Sequence, residues 1–276
     1  LVTYLRKGCG RIMGMHPPLL LRVPMKAQQT SITILALAGL LALPTAFAES
    51  TTDSLVQWKN TLELYLMGPN LDGSVGLGPV DGDVEVDPGS VFDALDGAFL
   101  GTYIGEAERW GVLVDLAYMD LKEDGTGPQG VVNYELNVKQ TILGLVGLYR
   151  LTDTLQFTFG GRYVDVSNRL TLAGPNRETA AKASESWFDP TIGLRYVAPL
   201  GEKWVFNGAA DIGGAGVGSD LTWYWSANIA YRMTPRTQFY AGYRYIDFDY
   251  DEGEGRDRFK FDMAQHGLLA GFRFEF

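Results

Sequence analysis

The sequence is poor in the side chains that most often carry chemistry. Its 276 residues include one cysteine, Cys9, and two histidines, His16 and His266. A single cysteine near the start leaves no disulfide, thiol nucleophile or cysteine-bound metal for the rest of the chain. The 33 acidic residues outnumber the 23 basic ones, which argues against a nucleic-acid partner. We therefore predict no cofactor, no metal site formed by cysteine or histidine, and no catalytic residue.

Long apolar runs are missing as well. The continuous run over residues 32–43 is shorter than the roughly 20 residues of a membrane-spanning helix. It follows a short basic stretch that opens at Met25, and it precedes a small-residue pattern formed by Ala46 and Ala48. This is the layout of a secretory signal peptide. We predict a signal peptide over 25–48, with cleavage after Ala48.

Residues 1–24 begin with leucine and precede this segment. We interpret them as a misassigned upstream extension, the alternative being an unusually long basic start to the signal peptide. In either case we expect residues 49–276 to form the mature protein. Five of the 23 basic residues and none of the 33 acidic residues precede Glu49, so the net charge after cleavage is −15 with histidine neutral. An exported chain of this kind can span a membrane only as strands.

The last ten residues alternate with period two. Phe272, Phe274 and Phe276 fall on one face of a strand, and Arg273 and Glu275 fall on the other. The pattern predicts a strand between lipid and a polar lumen, or alternatively an edge strand of a sandwich. It resembles the terminal strand of bacterial outer-membrane barrels, whose assembly machinery recognises a C-terminal aromatic residue. The resemblance makes the barrel assembly machinery an expected partner and Phe276 the expected assembly signal.

Ten alternating segments predict an all-β fold, an antiparallel transmembrane up-and-down β-barrel of ten strands. Tight links alternate with mostly longer ones, as in outer-membrane barrels with short periplasmic turns. An eight-stranded barrel is the alternative, if the second segment is a loop or the seventh and eighth are misread. The segments lie near residues 58–67, 97–107, 109–121, 131–151, 154–167, 186–199, 203–214, 220–232, 236–251 and 259–276.

Large aromatic residues near the segment ends favour a membrane barrel over a soluble sandwich, which would also alternate. Trp110, Tyr118, Trp204 and Tyr245 are examples. Aromatic side chains at these places are typical of the girdles that lie at membrane interfaces. We therefore predict a bacterial outer-membrane location, with outer-membrane lipid and lipopolysaccharide as the surroundings.

The motif Gly-x-Arg-aromatic occurs four times, with its arginine at Arg162, Arg195, Arg244 and Arg273. In each copy glycine and arginine share the inner face, and the aromatic residue faces lipid. We reason that the glycine leaves room for the guanidinium along the lumen wall, where carboxylates can pair with it. We interpret this lumen network as a structural filling of a small barrel, the alternative being a charged constriction in a narrow pore. Its predicted acidic members are Glu63, Asp115, Glu135, Asp189 and Asp211.

The longest predicted loop, 68–96, contains seven acidic and no basic residues. Alternate acids in its second half could offer oxygens to Ca²⁺, although the EF-hand spacing is missing. Residues 247–254 form a second acidic cluster. We expect either divalent cations as partners at these loops or plain solvated acidic segments. Ser90 and Asp93 resemble a capping box, which predicts a helical turn over 91–95.

His266 is the one histidine after the predicted cleavage site. Strand parity places it on the lipid side, near the outer interface. Outer-membrane lipid A deacylases use a lipid-facing histidine with serine two residues on, but Leu268 occupies that position here. A pair with Asp247 or Asp249 would resemble one found in omptin proteases. We interpret His266 as a girdle residue, with an outer-membrane hydrolase as the distant alternative.

The segments 58–78, 211–223 and 241–250 resemble a family of small, mostly uncharacterised outer-membrane barrels related in style to OmpA-like and opacity-like surface proteins. The resemblance covers 58–276 and implies fold and location, but no activity. We therefore predict a non-enzymatic outer-membrane barrel with a structural, surface-contact or small-solute role. A narrow porin or channel is the alternative.

Overall fold

The computed structural model of the chain describes residues 57–126, 133–174 and 178–276. The predicted signal peptide over 25–48, with Ala46 and Ala48, lies outside these residues. One short helix accompanies eleven strands in the described part. The elements are β1 Lys59–Leu77, β2 Val80–Val86, α1 Pro88–Asp93, β3 Leu95–Glu106, β4 Trp110–Thr126, β5 Asn133–Arg150, β6 Leu155–Ala173, β7 Glu178–Leu200, β8 Trp204–Gly214, β9 Leu221–Arg232, β10 Thr237–Glu252 and β11 Phe259–Glu275.

Ten of the described strands, β1 and β3–β11, form a closed antiparallel barrel. Each pairs with its neighbours in the chain, and β11 pairs with β1 over residues 61–77 to complete the circle. Tight turns join β3 to β4, β5 to β6, β7 to β8 and β9 to β10. The prediction of a ten-stranded barrel with tight turns at one end is confirmed. By the usual orientation of such barrels, the turns are periplasmic.

The outer surface of the barrel is apolar. Leu66, Trp110, Leu145 and Leu268 point outward, and each exposes more than half of its side chain. Their neighbours along the strands, such as Tyr65 and Leu269, point inward and are buried, as period-two alternation requires. An apolar belt around a closed barrel is stable in lipid, where every backbone polar group must be paired. The chain is therefore an outer-membrane β-barrel protein. Within the described residues, no helix is long and apolar enough to cross a membrane.

Several strands are longer than predicted. β4 extends to Thr126, β6 extends to Ala173 and β7 begins at Glu178, within the segments 122–130 and 168–185 that were expected to be loops. In these extensions, and in the facing first residues of β5, polar side chains face outward because the strands have left the lipid. Glu135 shows the effect and corrects its predicted place in the lumen: it lies on the outer face, with its carboxylate 3.5 Å from Lys122 Nζ. On β5 the residues of opposite parity, such as Ile142, face the lumen and are buried.

Strand β1 changes partner along its length. Residues 59–64 pair with β3, and residues 71–77 pair with β2, a strand that was predicted to be loop. Within the described chain, residues 65–70 have no ladder partner on this side. Helix α1 lies beside them, and the Phe92 ring contacts Gly68. We call this gap the β1–β3 seam.

Helix α1 begins three residues earlier than the predicted turn. The carboxylate of Asp87, rather than Ser90, caps it by accepting hydrogen bonds from the amides of Gly89 and Ser90 at 2.9 and 3.2 Å. An N-cap carboxylate of this kind satisfies amides that have no partner within the helix. The capping box inferred from Ser90 and Asp93 was therefore wrong, although the helix itself is present.

Candidate functional site: the filled lumen

All four motif arginines lie in the lumen with buried side chains, which expose only 7–12% of their surface. Each donates to a carboxylate on a different strand, as charge-assisted pairing inside a low-dielectric tube favours. The pairs are Arg162 with Asp211 at 2.9 Å, Arg195 with Glu106 at 3.3 Å, Arg244 with Asp115 at 3.0 Å, and Arg273 with Glu63 at 2.7 Å.

Aromatic and amide side chains complete this polar layer. The guanidinium carbons of Arg162 and Arg244 lie 5.6 and 5.2 Å from the centre of the Tyr224 ring, within the range of a cation–π contact. Gln156 joins a further pair by accepting from Arg195 at 2.6 Å and donating to Glu106. The charges are thus held by neighbours on several strands at once.

The glycines of the motif have a different role from the one predicted. A Cβ atom at Gly160 would collide with the backbone carbonyl of Leu145, and one at Gly242 with that of Ala227. The glycines at 193 and 271 face neighbouring carbonyls in the same way. Glycine is therefore needed because the next strand passes too close for any side chain, and not because it makes room for the guanidinium.

Two members of the lumen network differ from expectation. Asp189 is fully buried but has no arginine partner among the described residues. It accepts hydrogen bonds from Ser219, Thr222 and the indole of Trp187, because the β8–β9 loop folds inward over it. Glu106, which pairs with Arg195, was missed. Glu106 shares strand parity with the inward-facing Thr102 and Ile104, and this parity indicates that it faces the lumen. Its position beside a tight turn made an exposed side chain the more natural interpretation.

An apolar cluster fills the extracellular half of the lumen. The Trp187 ring stacks on Tyr250 at 4.3 Å and meets Phe248 edge-on at 6.1 Å. Every member exposes 7% of its surface or less, so this half of the lumen is packed like a protein core. We call this cluster the aromatic plug: Val164, Val166, Trp187, Phe248, Tyr250, Phe259, Phe261 and Met263.

The outer face carries a separate polar cluster around His266. The imidazole Nε2 lies 2.9 Å from an Asp72 carboxylate oxygen, and Nδ1 lies 2.6 Å from the Tyr243 hydroxyl. The partners of His266 are thus Asp72 and Tyr243, and not Asp247 or Asp249, which an omptin-like pair would need. Asp247 instead accepts from the Tyr245 hydroxyl at 3.0 Å. Parity places the cluster on the lipid side, as the sequence predicts for a girdle histidine.

The acidic extracellular segments are partly neutralised within the chain. Arg258 donates to Asp81 of β2 and to Asp251 of β10, at 2.7 and 2.6 Å. The hydrogen bond from Arg258 lowers the pKa of Asp251 below its usual range. Within the described residues, no group of three or more acidic, histidine or cysteine side chains is placed to hold a metal ion. Divalent cations at these segments stay a prediction.

No protein-family model and no curated protein matches the sequence. Solved structures do match the fold. The outer membrane protease OmpT from Escherichia coli is 10% identical with a TM-score of 0.52, over 79% of this chain and 97% of that one. The translocator domain of the autotransporter NalP from Neisseria meningitidis is 12% identical with a TM-score of 0.45, over 81% and 90%. Ail, the attachment invasion locus protein of Yersinia pestis, is 12% identical with a TM-score of 0.34, over 79% and 98%. The similarity to OmpT supports the barrel fold alone.

Proposed function

We propose that this outer-membrane barrel is non-enzymatic, does not conduct ions at rest, and presents an extracellular sheet for surface contact. The observation that carries the proposal is the filled lumen. Four paired arginines occupy its periplasmic half and the aromatic plug its extracellular half. Small barrels filled by their own side chains leave no aqueous path. The proposal includes the relation to OmpA-like and opacity-like surface proteins that the sequence suggests.

The extracellular sheet supports the surface-contact part. β4 to β7 continue beyond the apolar belt as a sheet that is polar on its outer face. Residues 178–187 of β7 pair with β6, but within the described chain they have no ladder partner on the other side, because the β7–β8 ladder starts at Thr191 and the β8–β9 loop covers Asp189. An unpaired strand edge offers backbone donors and acceptors to another chain.

A narrow pore is the second candidate. Three buried polar atoms, Arg162 Nη1, Asn207 Nδ2 and Asn228 Oδ1, have no hydrogen-bond partner within the described residues. Water in the lumen would satisfy them, and a continuous file of water would make the arginine layer a constriction.

Planar-bilayer recordings separate the two candidates. A filled barrel should show no stable openings, and Arg195→Ala and Arg244→Ala should lower stability without creating conductance. A pore should conduct as wild type, and the same substitutions should change its conductance or ion preference. Stable, ion-selective openings of the wild type would overturn the non-conducting proposal.

Shortening the sheet tests the contact role. Short turns would replace residues 123–136 and 169–182, which leaves the barrel wall intact because 122 pairs with 137 and 168 pairs with 183. Cells that display the shortened barrel should lose attachment to surfaces and to each other, while heat-modifiable migration on gels shows that the barrel still folds. Equal attachment by both forms would contradict the contact role.

The non-enzymatic part is tested at His266. Wild type and His266→Ala should both leave outer-membrane lipids unchanged after prolonged incubation, as monitored by mass spectrometry. Lipid hydrolysis by the wild type that disappears in His266→Ala would replace this proposal with the hydrolase alternative.

A further inference from the structure

A groove crosses the lipid-facing surface of strands β1, β11, β10 and β9, with a volume of ≈ 750 Å³. Small residues lie side by side in its floor, where Ala241 pairs with Ala270, and Gly68 lies across from the large, exposed Leu268. Larger side chains rise at its margins, including the Phe92 ring of α1. The floor lets a ligand approach the barrel backbone closely, as small residues do at membrane interfaces.

The polar cluster of the outer face lies at the extracellular end of this groove. Tyr243 lines the groove and bonds His266, which is one residue row closer to the extracellular side. Asp72 and Asp247 follow in the next row, both across from Ala264. An apolar slot therefore leads directly to hydroxyl, imidazole and carboxylate groups at the level of the aromatic girdle.

The charge at this end is negative. Asp249 and Asp262 face each other one row further out and add to the carboxylates already named. The basic side chains of this rim are already bound to carboxylates: Lys260 lies 3.4 Å from Asp262, and Arg258 binds Asp81 and Asp251. A positively charged hydrogen-bond donor would be attracted here, and an anionic group would be repelled.

We propose that the groove binds one acyl chain of a phospholipid with an ammonium headgroup, phosphatidylethanolamine being the probe of this class. The chain lies along the small-residue floor, and the ammonium donates to Asp72 and Asp247. The proposal is independent of whether the lumen conducts.

Native mass spectrometry of the purified barrel in detergent tests this with lipids of identical acyl chains. Phosphatidylethanolamine should be retained as one molecule per barrel, about tenfold more strongly than phosphatidylglycerol, because phosphatidylglycerol carries the same phosphate but has no ammonium to offset it. Phosphatidylcholine, a zwitterion whose quaternary ammonium has no N–H donor, should fall between them. Equal or stronger retention of phosphatidylglycerol, or of lipid A, would overturn the proposal.

Three variants locate the site. Ala241→Leu fills the groove floor and should abolish retention of phosphatidylethanolamine. Ala210→Leu adds the same side chain to an exposed, outward position that does not line the groove, and it should bind as the wild type does. Asp72→Asn together with Asp247→Asn should keep one lipid bound but bring the preference over phosphatidylglycerol close to unity.

Heat-modifiable migration shows whether each variant folds. If Ala241→Leu fails to fold, the Asp72 and Asp247 variant still decides, because loss of headgroup preference supports the proposal and an unchanged preference overturns it. Retention by a folded Ala241→Leu barrel also overturns it. A wild-type dimer that Ala241→Leu disrupts would also overturn the proposal, because the groove would then bind a second copy of the chain.

Discussion

Replacing Arg244 by alanine should destabilise the barrel far more than removing a cation from its surface. The guanidinium donates to Asp115 at 3.0 Å and to the Tyr65 hydroxyl, and it lies 5.2 Å from the centre of the Tyr224 ring. Its side chain is 8% exposed, and that of Asp115 is 20% exposed. Alanine would leave the Asp115 carboxylate inside the lumen with only Thr102, at 2.7 Å, and Tyr65 as donors.

The magnitude follows from what stays behind. Removing one partner of a buried ion pair costs about 3–5 kcal/mol, mostly because the other charge is left uncompensated. Asp115→Asn with Arg244→Met removes both charges and keeps much of the volume, so the double variant should recover most of the loss. Lys122→Ala breaks an exposed pair with Glu135 (45% and 52% exposed), and it should cost less than about 1 kcal/mol.

Urea unfolding in detergent micelles, followed by tryptophan fluorescence and by gel mobility of unboiled samples, measures the free energy of unfolding for all four proteins. A loss for Arg244→Ala as small as that for Lys122→Ala would show that water already solvates Asp115. The filled lumen would then be refuted, and with it the reason for a non-conducting barrel.

Three further predictions concern the motif glycines, the aromatic plug and the extracellular rim. Gly242→Ala should prevent or strongly impair folding because its Cβ meets a neighbouring carbonyl. Gly144 is also in the barrel wall, but a Cβ there would have no atom nearer than 3.7 Å, so Gly144→Ala should fold normally, as judged by gel mobility. Trp187→Ala should lower the free energy of unfolding by about 3–5 kcal/mol through the cavity it leaves; a loss below about 1 kcal/mol would mean that the plug is loosely packed. Because the pKa of Asp251 is lowered in the folded protein, its bond to Arg258 stabilises the rim at pH values above the ordinary carboxyl pKa. This stabilisation is lost as the pH falls through the pKa of Asp251 in the folded protein. Asp251 and Arg258 flank the loop 253–257, so a spin label on this loop should gain mobility only in acid, and at neutral pH in Arg258→Ala; a label equally mobile at all pH values would contradict this.

Strand parity predicted much of the barrel because lipid enforces it. Where a strand crosses the apolar belt, one face must be apolar, so the inward positions of Glu63, Asp115 and Asp211 could be read from the sequence. Glu135 lies where β5 has left the lipid, and there the requirement disappears and the pattern inverts. Leu143 and Leu145 of the same strand are exposed on the outer face, and parity counted back from them places Glu135 there too, but the local alternation around Glu135 indicated the opposite face because it lies beyond the membrane.

Other features depend on contacts between segments that are distant in sequence. The Asp189 carboxylate accepts hydrogen bonds from Ser219 and Thr222, because a short loop folds inward. The local sequence does not indicate this loop conformation. Asp87 caps the helix with its carboxylate, and in the sequence this position competed with a plausible capping box at Ser90. The close approach that requires Gly160 depends on the path of the neighbouring strand, which only the three-dimensional structure gives.

Lateral tension in a membrane acts on all ladders of a closed barrel in series. The ladder between β1 and β11, where the two ends of the circle meet, covers 61–77, whereas that between β1 and β3 covers only 59–64. Fewer backbone hydrogen bonds must break at the second ladder, so the wall yields there, beside α1, and not at the junction of the first and last strands. The wall should therefore separate first at the β1–β3 seam, and after this separation the remaining ladders would hold the strands together as one curved sheet.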